Sequence, residues 1–286
     1  MRESDNNCTK QIKLYEEMTR PDIEAALREN SPIMIPIGAT EQHGAHLPLG
    51  TDNIVGIDIV RRAGGILAEE NIPLIMGPVI GFGLKPFLTE TPRDYAGTVN
   101  LSSSTLKALI EEVCMEIIRM GFKTIYLLKG HAESDVIVQL VAKELSEKTP
   151  AHVISINWLV GIRSRYKGIL RSKREEGHGG EGETSRMLAT APHLVRLGLA
   201  KPCYPRKQKG SEIEADRLPY LGGGIGRYKP FEGMFDNKHQ GINGDPTLAT
   251  AETGEKVYGL ITDWVVQIVK KEWYSTKLTK KRRKKK

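Results

Sequence analysis

An apolar run that breaks at once into a loop crowded with acids and histidines constrains this chain more than any other feature. Pro32-Ile33-Met34-Ile35-Pro36-Ile37 is short and continuous, the pattern of a buried strand. It runs into Gly38-Ala39-Thr40-Glu41-Gln42-His43-Gly44 and on through His46 to Thr51-Asp52. A second run, Thr124-Ile125-Tyr126-Leu127-Leu128, ends the same way, in Lys129-Gly130-His131-Ala132-Glu133. Strands hold such groups in place and loops present them. Two acid/His loops at strand ends fit a parallel sheet that finishes both strands at one edge.

The rest of the chain keeps this alternation. Asn53 to about Glu70 reads as a helix, with Ile54, Ile57, Ile59, Val60, Ile66 and Leu67 at roughly helical spacing. Pro73–Met76 is a short strand closed by Gly77-Pro78. Ser104 to Met120 carries the stripe Leu106, Leu109, Ile110, Val113, Cys114 and Ile117, with serines to cap its start and Gly121 to end it. Helices are further predicted from about Ser134 to Lys148, Glu183 to Ala191 and Thr253 to Lys271, and a strand at Val153–Ile156. Residues 159–178 read as loop or short helix, and 201–246, rich in glycine and proline, as a long irregular excursion of lid or subunit-contact type. The fold class is α/β with a mostly parallel sheet.

Composition excludes several function classes. No apolar stretch approaches the roughly 20 residues that span a bilayer, and the polar N-terminus has no signal-peptide core. Cys8, Cys114 and Cys203 are scattered and odd in number, so no disulfide framework is expected and the cytoplasm is the default location. The net charge of +7 equals the seven Lys/Arg residues at 280–286, so the body is near neutral. Nucleic acid is not an expected partner apart from that tail.

Glu41, His43, Asp52, His131 and Glu133 could serve one pair of divalent metals with room for a bridging water. Glu133 joins this set provided the backbone after His131 stays extended. His46 is expected to support the loop rather than to ligate. Gly177, Gly179 and Gly182 formally spell a dinucleotide fingerprint, but charged Ser172–Glu176 precedes it where a strand is required. The useful groups there are His178 and Glu183, for acid/base work or substrate contact, since an imidazole can accept and donate a proton near neutral pH. His152, His193 and His239 are read as structural.

The ordered set Gly38–Gly44 to Thr51-Asp52, Gly130–Glu133, His178–Ser185 and Gly244-Asp245-Pro246 resembles the creatinine amidohydrolase (creatininase) family, over about residues 14–271. The resemblance implies a three-layer α/β/α domain, placed at 14–274 after an extension at 1–13, and the block charge of the basic tail at 275–286 predicts disorder there. It implies two divalent ions (zinc, manganese or iron) on Glu41, His43, Asp52, His131 and Glu133, with Asp52 bridging and His178 as proton shuttle. Homo-oligomers, hexamers among them, are expected. Ala132 stands where creatininase has tyrosine, and Lys173–Glu176 replaces a pocket tryptophan. Trp158 matches another pocket tryptophan, and Thr98 keeps the Gly-Thr of a segment that here has lost its histidine. Arg93, Arg174 and the basic loop 163–174 point to an anionic small-molecule amide. The expected activity is metal-dependent cleavage of a C–N amide bond, cyclic or open. The alternatives are deformylation of a formamidopyrimidine nucleotide and a metal-stabilised binding protein without catalysis.

Overall fold

The computed structural model describes residues 12–85, 96–166, 168–174, 177–204 and 241–283, with side chains to Thr276. Residues 205–240 of the irregular excursion, Arg93 and the last three lysines lie outside them.

Four strands form a wholly parallel sheet in the order β2 (Ile75–Met76), β1 (Ile33–Ile37), β5 (Thr124–Lys129), β6 (His152–Ile156). A second parallel pair, β3 (Gly83–Leu84) with β4 (Asn100–Leu101), lies apart from it. The helices are α1 (Arg20–Glu29), α2 (Thr51–Glu69), α3 (Ser103–Met120), α4 (Asp135–Lys148), α5 (Trp158–Tyr166), α6 (Glu181–Thr190) and α7 (Ala251–Arg283).

The strands are apolar on both faces because helices cover both. Ile33, Ile35, Ile37, Ile125 and Leu127 face α3 and α4, whose Leu106, Ile110, Ile117, Val138, Val141 and Leu145 are buried there. Met34, Tyr126, Leu128 and Ile156 face the opposite layer, where Ile59, Val60 and Leu67 of α2 meet Tyr258, Ile261 and Val265 of α7. Each fully buried side chain of this kind contributes about 1.5–3 kcal/mol. The two layers around one sheet give the three-layer α/β/α architecture.

Two elements depart from the sequence reading. α1 carries only a sparse stripe of Ile23, Ala26 and Leu27, yet a Thr19/Asp22 capping box and Pro21 start it. At 158–166 the short-helix reading of that stretch holds. α7 runs to Arg283, past the boundary at 274, because no proline or glycine interrupts it after Gly259 and lysine is a fair helix former. Among the described residues no helix is long and apolar enough to cross a membrane.

Candidate metal centre

The C-terminal ends of β1 and β5 carry the site, and α2 begins in it. Gly130 makes the close approach possible, since a Cβ there would lie 3.1 Å from the Ile37 carbonyl and 3.2 Å from that of Asp52. Glu41, His43, Asp52 and His131 are all buried. His131 Nδ1 lies 3.1 Å from Glu41 Oε1 and 3.3 Å from Asp52 Oδ2. His43 Nε2 lies 3.4 Å from Asp52 Oδ1 and 3.6 Å from Glu183 Oε2. His178 Nδ1 stands 3.5 Å from Glu41 Oε1, and its ring is 4.3 Å from that of His43.

Ligand-capable atoms therefore gather in three overlapping groups: Glu41, Asp52 and His131; His43, Asp52 and Glu183; Glu41, His43 and His178. Asp52 belongs to the first two, one oxygen toward each histidine.

The histidines are oriented alike. His43 Nδ1 bonds the Glu41 carbonyl at 3.1 Å, His131 Nε2 the Leu84 carbonyl at 3.0 Å, and His178 Nε2 the Gln42 carbonyl at 2.7 Å. Each thus gives one N–H to the main chain and turns the other nitrogen inward, the usual support of a metal-ligating imidazole.

The electrostatics fit a cation. Glu41 Oε2, His43 Nε2 and Asp52 Oδ2 are buried with no hydrogen-bond partner. A buried ion without a partner costs several kcal/mol. Surface pairs such as Lys143–Glu147 are worth at most about 1 kcal/mol and cannot offset that. Burial works against charge on His43, yet Asp52, Glu183 and Glu41 hold its pKa up to about 10. His131 is likewise raised against burial by Glu41, Asp52 and Glu133. The Asp52 carboxyl is lowered, again against burial, by His43 and His131. The carboxylates thus favour positive charge at this spot, which is what a bound cation would supply. The nitrogen and oxygen donors suit zinc or manganese.

Glu133 sits elsewhere. The chain turns after Gly130, with the Asp135 N–H on the Ala132 carbonyl at 3.2 Å, so the extended backbone expected there is absent. Glu133 Oε2 lies 3.4 Å from His131 Nε2, the outward nitrogen. Glu183, from the first turn of α6, is a further inward donor.

His178 and Glu183 come from one glycine-rich turn. Gly179 adopts φ +62°, and a Cβ there would lie 2.4 Å from Ile242. Its N–H bonds Glu183 Oε2 at 2.7 Å. His46 bonds Thr184 at 2.9 Å, and burial pushes its pKa down to about 4, so it ties the β1 loop to α6 as a neutral ring.

The residues expected to bind substrate have structural contacts of their own. Trp158 is buried in the core, with the Arg186 guanidinium 4.8 Å from its ring centre. Thr98 Oγ1 accepts the Gln42 N–H at 3.0 Å and so braces the metal loop. Arg174 is exposed and stacked 3.7 Å over Tyr204.

Gln42 and Arg186 escaped the sequence reading. Gln42 donates to the Gly241 carbonyl at 2.5 Å and accepts the Gly44 N–H at 2.9 Å, which locks two loops together. Its position between Glu41 and His43 was the available signal.

The sequence profile of the family described as creatinine amidohydrolase matches residues 16–269. The chain belongs to the creatininase family. A mycofactocin precursor peptide peptidase of Mycobacterium tuberculosis is 27% identical over 85% of this creatininase-family chain and 86% of its own. A 3-dehydro-scyllo-inosose hydrolase of Thermotoga maritima is 26% identical over 90% and 82%. A creatinine amidohydrolase of Pseudomonas putida is 27% identical over 63% and 73%. A solved creatininase superposes with a TM-score of 0.72 at 22% identity, over 92% of this chain and 98% of that one. A manganese creatininase gives 0.72 at 21%, over 92% and 99%. The fold expectation holds, and this family member is a hydrolase with a candidate metal site.

Proposed function

We propose that the chain hydrolyses a C–N amide bond of a small anionic substrate at a binuclear divalent-metal centre. One observation carries the reading: three histidines, each held by a main-chain carbonyl, turn their other nitrogens onto the carboxylates of Glu41, Asp52 and Glu183, where Glu41 Oε2 and Asp52 Oδ2 are buried without a hydrogen-bond partner.

Glu41, Asp52 and His131 would hold one ion and His43, Asp52 and Glu183 the other, with Asp52 shared. Two such ions, when bound, supply Lewis acidity toward a carbonyl oxygen and acidify a water. Three carboxylates oppose the four positive charges of two divalent ions, which leaves one positive charge to attract an anionic ligand or an oxyanion.

His178 Nε2 is committed to the Gln42 carbonyl, so Nδ1 is the atom that moves a proton. Nδ1 faces Glu41 and can take a proton at the centre and deliver it to the leaving nitrogen. His178 also belongs to one of the candidate groups, but through Glu41 and His43, which the other two groups already use.

Relatives of nearly equal identity are named for a peptide, an inosose and creatinine, so identity does not choose the substrate. The exposed Arg174 guanidinium, a few residues before His178 in the chain, supports an anionic one. The test is metal analysis followed by turnover of cyclic ureas, formamides and short peptides, with and without a carboxylate or phosphate. Two ions per chain and faster turnover of the anionic members support the reading. A chain that holds two ions, hydrolyses none of them and binds one tightly would be a binding protein.

A further inference from the structure

Arg186 is a charge that the chemistry above does not use. It lies on α6 and is 3% exposed. Nη1 lies 3.3 Å from the Tyr166 hydroxyl, Nη2 lies 3.8 Å from Glu183 Oε1, and Nε has no hydrogen-bond partner. The guanidinium lies against the Trp158 ring. An arginine keeps its charge in any protein environment, and burying one is costly unless a counter-charge answers it. Glu183 is the carboxylate paired with it here, one helical turn away.

Glu183 is thereby divided. Oε2 accepts the Gly179 N–H and faces His43, while Oε1 is drawn the other way by Arg186. A carboxylate free to rotate could offer a divalent ion both oxygens, and a second oxygen would fill a coordination position that catalysis needs open.

We propose that Arg186 is a positioning residue that restricts Glu183 to one donor oxygen and so keeps a coordination position open for substrate at the ion shared by His43, Asp52 and Glu183. The pairing of Glu183 with Arg186 would do this without Arg186 touching the reacting atoms. This inference rests on Glu183 being a ligand, so the experiment first asks that question separately. Glu183→Gln should bind one ion per chain where the native protein binds two, and a variant that keeps two would remove the ligand reading itself.

With that arm passed, Arg186→Met is loaded with cobalt(II). It should keep two ions and release the second to a chelator more slowly than the native protein. Its visible cobalt absorption should weaken as coordination number rises. Its kcat should fall about 10–100-fold, the usual scale for losing an outer partner of a metal ligand, with KM nearly unchanged. Arg186→Lys should restore most of the rate and the spectrum by returning the charge. Tyr166→Phe, which leaves the ion pair intact but loosens the guanidinium, should move both readouts the same way by less, and it keeps the test alive if Arg186→Met does not fold. A native cobalt spectrum and native release rate in Arg186→Met would overturn the proposal. Faster metal loss in that variant would also overturn it, and would make Arg186 a support of the helix only.

Discussion

The two halves of the centre are built differently. Glu41, Asp52 and His131 come from the ends of two hydrogen-bonded strands and the helix that follows one of them, and their side chains are 2–7% exposed. His178 and Glu183 come from a glycine turn and the first turn of α6, at 11% and 21%. The strand half is fixed by the sheet register and sealed. The α6 half is placed by one left-handed glycine and bonds to the β1 loop, and it meets solvent. The sealed half is suited to holding an ion, the open half to exchanging protons and ligands.

The largest expected effect is at Asp52, which joins the halves. Asp52→Asn should reduce bound metal toward one or none per chain and abolish turnover, measured by elemental analysis and amide hydrolysis. Two ions with near-native rates would break the division into two ion groups.

His178→Ala separates the halves by function. It should keep the fold and both ions and lose about 10²–10⁴-fold in kcat, the range of general acid–base help, with substrate binding changed far less. Metal loss in this variant would place His178 in the coordination shell instead.

Protons compete with metal in both halves, which gives a pH test. The ring of His43 holds its proton up to about 10 in the metal-free protein against an ordinary value of 6.5. A raised folded value means this contribution to stability is full below about 6.5 and fades as pH rises through 10. The metal-free protein should therefore lose thermal stability across that window, by scanning calorimetry. Metal must displace the same proton, so apparent metal affinity should rise over the same range. An affinity that fell with rising pH would contradict the ligand role of His43.

The smallest effect is expected at Trp158. Trp158→Phe fills most of the same volume and should lower the melting temperature modestly, by about 1.5 kcal/mol or less of stability, with KM unchanged. A large rise in KM would place Trp158 in the substrate pocket.

What the sequence made legible follows the same division. The β1 and β5 loops could be read because each begins where an apolar run ends, and strand ends in a parallel sheet share one edge. Glu133 was assigned by assuming that the alternation of β5 continued past Lys129. Gly130 still pairs with β1, but the chain then turns over Ala132–Asp135, and the carboxylate lies 3.4 Å from His131 Nε2. Glu183 was visible as an acid beside His178, but its convergence on His43 depends on the packing of α6 and on a bond from Gly179, which no local spacing encodes. Arg186 looked like an ordinary helix arginine, since burial beside Trp158 depends on the contact of α5 with α6. The basic tail was separable by charge, while the helical path of α7 through Arg283 required a residue-by-residue propensity argument.

Metal content of Glu183→Gln beside Glu133→Gln tests the central claim, that α6 completes the second ion group, most directly. Both proteins would be loaded with excess zinc or manganese, desalted and counted by elemental analysis. The expected result is about one ion per chain for Glu183→Gln and two for Glu133→Gln, whose carboxylate lies outside the three groups. Two ions in Glu183→Gln with one in Glu133→Gln would contradict the claim and give the fifth ligand position back to the β5 loop.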